Sequence, residues 1–242
     1  MYNESNSLDR EEGVGLAMLN EVKSVHQEVY DKIKEDILCR RYLENSYLIE
    51  RKIAEALYVS RTPVRQALKK LEKEGLVINV KNRGMKVTTL NEQEVKDVFE
   101  IRMALEGLVV VNSCNRIEWA SLEILKRNIE KQTAAANKQD WNEFIDTDLE
   151  FHNILLHTQN NMIIKNFLRD LQGKMKLIGI RTLYGNVGRI ELTVNEHKEI
   201  YNAILRNSPK EAKKQMEKHV QSVYEAACDY LASVRKNSFS DM

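Results

Sequence analysis

Cysteine, proline and glycine are scarce in this chain, and each scarcity narrows the class of protein. Cys39, Cys114 and Cys228 lie far apart without a CxxC pair, which argues against a disulfide framework or a cysteine zinc site and indicates a reducing compartment. Two prolines and nine glycines in 242 residues, beside abundant Leu, Ile, Lys and Glu, predict a mainly α-helical protein.

Long apolar runs and a secretory leader are also missing. No apolar stretch approaches the ~18 residues that span a bilayer, and the candidate GLVVV is far too short. The first residues, MYNESNSLDREEG, are polar and acidic, whereas a signal peptide begins with basic residues and continues with apolar ones. We therefore expect a cytoplasmic protein without a membrane segment, in which 43% apolar residues build one or two hydrophobic cores.

The net charge is only +1, but its distribution along the chain is uneven. Residues 1–22 carry one Arg against five acids, residues 23–90 carry fifteen Lys and Arg against nine acids, and residues 91–242 carry 21 against 22. This pattern indicates an N-terminal tail, a basic segment suited to a polyanion and a second unit without that bias. Composition alone leaves a merely solvated basic surface open.

Three amphipathic helices are predicted in the basic segment. Apolar residues recur there at helical spacing: Val25, Val29, Ile33 and Ile37 in the first helix, Ile49, Ile53, Ala54 and Leu57 in the second, and Val64, Ala67, Leu68 and Leu71 in the third. The segment LVINVKNRGMKVTTL follows, with β-branched residues on both sides of an NRG turn. It predicts a short hairpin, so that the segment forms a winged helix-turn-helix.

The third helix begins unusually, in the stretch SRTPVRQALKKLEKEG. Pro63 suits a first helical turn and disfavours helical backbone at Thr62, which makes Thr62 the expected N-cap and Ser60 the alternative. Arg61 and Arg65 share the outer face near the positive end of the helix dipole, which costs roughly 0.3–1 kcal/mol for each cation. A DNA backbone reverses that cost, because the helix end and both arginines then face anions.

The residues IERKIAEALYVSRTPVRQALKKLEKEGLV and NRGMKV resemble the DNA-binding domain of GntR-family bacterial transcription regulators, over residues 25–90. The resemblance implies operator contacts from the second helix, the recognition helix and the wing tip. The matching residues are Arg51, Ser60, Arg61, Thr62, Arg65, Arg83 and Gly84. Two residues depart from the family pattern, since Tyr58 replaces a usual glycine and Gln66 a usual glutamate.

These side chains suit different tasks on DNA. Arg61 and Arg65 can bind guanine O6 and N7 in a bidentate manner, and Gly84 lets the backbone approach a groove beside the charge of Arg83. The remaining positions are expected to fix the register through phosphates; they are Arg51, Ser60 and Thr62.

Residues 91–242 predict an antiparallel all-α helical bundle. Asn91 with Glu94 forms an N-terminal cap signal, and Ser208, Pro209 and Glu211 form another. Between them, helices are predicted around residues 117–137, 140–158, 161–183 and 191–206.

Asp148 and His152 lie four residues apart, on one face of a predicted helix, and His197 and His219 lie on the last two helices. Packing could bring this set to one point, where imidazole and carboxylate ligands suit Zn²⁺, Ni²⁺ or another divalent transition metal ion. Histidines that are simply hydrogen-bonded in the core are the alternative.

The segments VFEIRMALEGLVV, DLEFHNILLHTQNN, EHKEIYNAI and MEKHV resemble the FCD effector domain of FadR-type members of the GntR family, over residues 91–235. The resemblance implies a metal held by Asp148, His152, His197 and His219, and a small carboxylate metabolite bound at that metal. Arg102 matches a pocket arginine of such domains, and Arg181 is a second candidate. An internal ion pair of Arg102 with Glu106, four residues later, is the alternative.

We therefore expect a homodimeric transcription regulator, a repressor rather than an enzyme, that binds a palindromic operator and responds to a carboxylate at a metal site. Two alternatives remain open. The metal itself could be the signal, or the bundle could be a metal-dependent hydrolase with a basic docking segment, in which Glu150 or Glu196 would have to supply the general base.

Overall fold

The computed structural model describes residues 24–184 and 186–240, so the predicted tail at residues 1–22 lies outside the described residues. The mainly helical prediction is confirmed. In chain order the elements are α1 (Val25–Leu38), β1 (Tyr47–Leu48), α2 (Glu50–Ala56), α3 (Arg61–Lys73), β2 (Val77–Val80), β3 (Gly84–Val87), α4 (Glu92–Arg116), α5 (Trp119–Lys138), α6 (Trp141–His157), α7 (Met162–Leu183), α8 (Val187–Leu205) and α9 (Pro209–Ser240).

The first three helices and a small antiparallel sheet form a winged helix-turn-helix. The predicted hairpin is present as β2 and β3, which pair from Val77 opposite Val87 to Val80 opposite Gly84. Strand β1 adds to the free edge of β3 and gives the order β1-β3-β2. Sequence periodicity missed β1, because two residues are too few to show an alternation.

The turn between α2 and α3 differs from the prediction. The second helix ends at Ala56, since Tyr58 takes a left-handed backbone with φ of 55°. The chain then enters α3 at Arg61, with Ser60 as the extended N-cap residue, and Thr62 lies inside the first turn. The expectation of Thr62 as N-cap was wrong. Pro63 disfavours helical backbone at Thr62, but the turn at Tyr58 places the start of the helix at Arg61, before that residue.

The remaining helices form the bundle. Helix α4 packs along α9, while α5 packs on α6 and α8 lies against both α5 and α9. Asn91 accepts a hydrogen bond from the Glu94 N–H at 3.1 Å, so this predicted cap is confirmed. Helix α8 begins at Val187, four residues before the predicted start, where Asn186 caps it by accepting from the Arg189 N–H.

The winged helix rests directly on the bundle. Ile33 and Ile37 of α1 share a buried hydrophobic cluster with Phe144 and Ile145 of α6 and with Ile180 of α7. A continuous apolar contact therefore joins the basic unit to the helical one, and it stabilises one relative arrangement of the two.

Candidate functional sites

Three histidines from three helices meet inside the bundle. His152 of α6, His197 of α8 and His219 of α9 each direct a ring nitrogen to one point, and these atoms lie within 4.8 Å of one another. His197 is 0% exposed and His219 1%, so water does not reach them freely. Phe151 stacks on the His197 ring with centroids 3.9 Å apart and fixes its plane.

Asp148, the fourth expected ligand, lies at the edge of this group. One of its carboxylate oxygens, Oδ1, is 3.7 Å from Nε2 of His197, and its side chain is 19% exposed. Burial raises the pKa of Asp148, against the opposing charges of His152 and Arg102. The structure thus brings three expected ligands together and places the fourth next to one of them.

A buried amide network orients His197. Its Nδ1 lies 2.8 Å from Oε1 of Gln132, whose own nitrogen donates to Oδ1 of Asn128 and to the Thr147 carbonyl oxygen. Because that carbonyl only accepts, the amide oxygen of Gln132 must face the imidazole. The proton of His197 therefore sits on Nδ1, and the lone pair on Nε2 faces the other histidines.

The carboxylate of Glu196 orients His219 in the way that Gln132 orients His197. Nδ1 of His219 lies 2.9 Å from Oε2 of Glu196. Arg189 donates to both oxygens of Glu196, at 3.3 and 3.0 Å, and also to Oγ of Ser222 at 2.9 Å. A carboxylate only accepts, so His219 also carries its proton on Nδ1 and directs Nε2 inward.

His152 has a similar neighbour. Its Nδ1 lies 2.8 Å from Oε2 of Glu106, and Arg102 donates from Nε to the other oxygen of Glu106 at 2.7 Å. Burial would raise the pKa of Glu106, but the charges of Arg102 and His152 outweigh burial and hold that pKa well below its usual range. Glu106 is therefore a fixed anion beside the third imidazole.

The inward nitrogens are suited to a metal ion. Among the described residues, the buried Nε2 atoms of His152, His197 and His219 have no hydrogen-bond partner. Burial first, and then neighbouring charges, lowers the pKa of His197 and of His219 well below the ordinary value, so both imidazoles are neutral. Neutral imidazoles anchored at Nδ1 with Nε2 free are the arrangement that divalent transition metal ions select.

A small cavity lies beside this centre. Its volume is about 20 Å³, and polar groups of Glu106, His152, Asn153 and Gln172 face it among apolar side chains of α4, α6, α7 and α9. Gln172 donates to the side-chain oxygen of Asn153 across it. The cavity holds about one water molecule.

The two candidate effector arginines lie in different places. Arg102 is buried next to the histidines and forms the ion pair with Glu106 that the sequence left open. Arg181 is not brought to the centre, since its guanidinium donates to the backbone carbonyl oxygens of Ile37 and Thr88 in the winged-helix unit.

Sequence reasoning missed most of the groups that anchor the imidazoles. Glu196 precedes His197 in sequence but binds His219, and Gln132 lies 65 residues before its partner His197. No local signal marks either pairing, because each one depends on how separate helices pack.

The second candidate site is a polar surface on the winged helix. The seven residues expected at DNA are all exposed, and they lie at the start of α2, at the start of α3 and at the tip of the wing. Gly84 has a φ of 91°, a backbone conformation that suits glycine. The tip can therefore approach a groove closely.

None of the helices between residues 24 and 240, as far as they are described, combines the length and apolarity needed to cross a membrane.

Two protein families match the chain. The family described as "Bacterial regulatory proteins, gntR family" matches residues 25–87, and the FCD domain family matches residues 97–222. The chain therefore belongs to the GntR family with an FCD domain, and it is a DNA-binding transcription regulator rather than an enzyme. The helical hydrolase that the sequence left open is set aside.

Individual relatives agree with this assignment. The chain is 28% identical to the HTH-type transcriptional regulator YdhC of Bacillus subtilis over 206 residues, which cover 85% of this chain and 90% of YdhC. It is 24% identical to the HTH-type transcriptional repressor RspR of Escherichia coli over 208 residues, 86% and 91% of the two chains. The solved structure of E. coli McbR/YncC has the same fold, with a TM-score of 0.55 and 19% identity over 89% of this chain and 99% of that one.

Proposed function

We propose that this regulator senses a divalent transition metal ion, zinc or nickel, together with a small carboxylate metabolite in its C-terminal bundle. The observation that carries the proposal is the set of three buried Nε2 atoms without partners. Two of these imidazoles, His197 and His219, are hydrogen-bonded at Nδ1, and Nδ1 of His152 lies 2.8 Å from Glu106. A buried acceptor without a partner costs about 1–3 kcal/mol. Core histidines that serve only packing would not present three such atoms to one point, whereas a metal ion would satisfy all of them.

The coordination number and the charge of the proposed metal ion favour a metabolite carboxylate as its further ligand. Three imidazoles, with Asp148 as a fourth ligand, leave at least one position of a six-coordinate ion open. Glu106 is balanced by Arg102 and Glu196 by Arg189, so a bound divalent ion retains positive charge toward an incoming ligand. We propose Arg102 as an effector-binding residue that acts beside its pair with Glu106, and we assign Arg181 to domain docking instead.

The cavity favours a second candidate, in which the metal alone is the signal. A volume of about 20 Å³ accepts a water molecule but no metabolite of several carbon atoms. A carboxylate would require movement of the Asn153 and Gln172 side chains.

For the DNA-binding part, we propose that residues 23–90 form the DNA-binding domain and residues 91–242 the effector-binding and dimerisation domain. Arg61 and Arg65 read bases, and the other five exposed residues bind the backbone or groove. A cytoplasmic homodimer would place two winged helices on a palindromic operator. We propose a repressor, the role that the name of RspR gives for that relative.

Metal and effector can be tested together. We would measure metal in the purified protein by mass spectrometry, remove it with a chelator, and titrate zinc, nickel and then a panel of carboxylates against binding to the DNA upstream of its own gene. If the carboxylate is the signal, the operator affinity changes only when metal and one carboxylate are both present, by the same factor as the DNA changes carboxylate affinity. A full response to metal alone would favour the second candidate, and no response to either would reject both.

The DNA surface has its own test. Arg65→Ala should reduce operator affinity and leave the fold intact. The salt dependence of binding should fall by a slope of about 0.9 if Arg65 neutralises one phosphate, and should keep its slope if Arg65 binds a base. Unchanged operator affinity in a gel-shift titration would contradict the assignment.

A further inference from the structure

Glu50 binds both arginines of the recognition helix. It is the first residue of α2, and its carboxylate accepts from Nε of Arg65 at 3.1 and 3.3 Å and from Nη2 of Arg65 at 2.9 Å. Nη2 of Arg61 donates to the same carboxylate at 3.2 Å. One acidic side chain therefore controls the position of two cations that are otherwise exposed, by 61% for Arg61 and 54% for Arg65.

The contact with Arg65 uses one edge of the guanidinium and leaves the other free. A guanidinium carries five N–H donors in a fixed plane. Glu50 takes the edge formed by Nε and one hydrogen of Nη2. The end formed by Nη1 and the second hydrogen of Nη2 still offers two parallel donors, which is the geometry that guanine O6 and N7 accept.

Two opposite consequences follow for DNA binding. A long side chain loses rotamer freedom when it contacts a base, and a side chain that is already held loses less. Glu50 therefore favours the one duplex in which guanine meets the free end of Arg65. Its negative charge also lies among groups that face phosphates, so it weakens binding to every duplex alike.

We propose that Glu50 is a specificity-determining positioning residue, which presents the free end of Arg65 to one guanine of the operator at the expense of affinity for DNA in general. This inference rests on the proposed contact between Arg65 and DNA. Glu50 itself touches no base in this scheme and acts through Arg65.

Helix α2 supplies a matched comparison. Glu55, on the same helix, forms an ordinary surface ion pair with Arg51 at 2.8 Å, with both side chains more than half exposed. Glu55→Gln removes one negative charge from α2 without touching Arg65. Glu50→Gln removes the charge and the support together, whereas Glu50→Asp keeps the charge and shortens the reach.

The test begins with a duplex that the wild-type chain selects from a random-sequence library. Fluorescence anisotropy then gives the affinity of each variant for this duplex, for a scrambled duplex, and for copies in which single guanines are replaced by 7-deazaguanine, which lacks N7. Thermal unfolding by circular dichroism shows that each variant is folded.

For Glu50→Gln we expect about threefold tighter binding to the scrambled duplex, from the loss of one like charge near the phosphates. We expect the preference for the selected duplex to fall by at least about fivefold, the lower end of what one bidentate base contact contributes. The loss of affinity caused by 7-deazaguanine at one position should become smaller to the same extent. Glu50→Asp should lose the preference without gaining general affinity, and Glu55→Gln should keep the preference.

A Glu50→Gln protein that retains the wild-type preference and the full 7-deazaguanine penalty would overturn the inference, while Arg65→Ala would still lose the selected duplex. A different result would contradict the proposed contact between Arg65 and DNA. In that case the library yields no enriched sequence, or Arg65→Ala binds the selected duplex as the wild type does, and the inference falls with it.

Discussion

Arg181 of α7 donates a hydrogen bond at 3.0 Å to the backbone carbonyl oxygen of Thr88, the residue that follows the last strand of the wing. A second donor of the same guanidinium lies 3.4 Å from the Ile37 carbonyl oxygen at the end of α1. The side chain is buried. One arginine of the bundle thus binds the winged helix at two points of its backbone.

Replacing Arg181 should loosen this docking. Arg181→Met keeps much of the side-chain volume but removes the donors to two buried carbonyl oxygens. We expect the free energy of unfolding to fall by about 1–3 kcal/mol, the cost of leaving the Thr88 carbonyl oxygen without its donor, since the Ile37 oxygen keeps the Arg40 N–H at 3.1 Å. Urea denaturation measures this change.

Arg169→Met is the matched control for Arg181→Met, because Arg169 lies on the same helix and is exposed. It should change stability by less than about 0.5 kcal/mol. Equal effects of the two substitutions would show that the contacts of Arg181 contribute little to stability.

Metal binding should stabilise the fold. Zinc at about 100 times its dissociation constant should add about 2.7 kcal/mol to the free energy of unfolding, because the folded state alone assembles the three imidazoles. Differential scanning fluorimetry with and without chelator measures the shift in Tm. His197→Ala should abolish it.

His157→Ala separates this effect from a general loss of histidine. His157 lies on α6 like His152 but is exposed, so the variant should respond to zinc as the wild type does. A zinc shift that survives in His197→Ala would place the metal elsewhere in the protein.

Gln132 should affect the metal without touching it. Gln132→Leu removes the acceptor for Nδ1 of His197, so the ring loses its fixed orientation and proton position. We expect metal affinity to fall by about 10–100-fold, measured by competition with a chromogenic chelator. Gln221→Leu, an exposed change on α9, should leave the affinity unaltered, and equal affinities in all three proteins would deny Gln132 this role.

Tyr58 carries a cost in backbone conformation. Its ring is 97% exposed, so packing does not explain its φ of 55°. Tyr58→Gly removes the steric penalty of a left-handed residue and should stabilise the protein by about 0.5–1 kcal/mol, after the larger chain entropy of glycine is subtracted.

Tyr58→Ala is the comparison for Tyr58→Gly, because it removes the same ring but keeps a Cβ. It should give no gain in urea denaturation. A gain of equal size in both variants would mean that the ring, and not the backbone, is unfavourable.

Local sequence patterns predicted most of the secondary-structure elements. The periodicity of Ile33 and Ile37 predicted α1, and the NRG turn predicted the hairpin. The spacing of Asp148 and His152 predicted a shared helix face. Each of these signals lies within a few residues, which is the range over which backbone geometry relates sequence to structure.

Features that depend on packing between helices were not predictable in this way. Gln132 and Glu196 form hydrogen bonds with histidines on other helices, and Glu106 lies 2.8 Å from Nδ1 of His152. Nothing near Gln132 in the sequence distinguishes it from an exposed glutamine. Arg181 is a similar case, since only the docked arrangement of two units gives it the carbonyl oxygens of Ile37 and Thr88.

Helix α6 contributes to both parts of the molecule. Its C-terminal half carries His152, while its first turns place Phe144 and Ile145 in the hydrophobic cluster that contains Ile33 and Ile37 of α1. Seventeen residues of uninterrupted helix behave as a stiff rod. A tilt of this rod at the histidine end would therefore move the end on which α1 rests, and with it the winged helix.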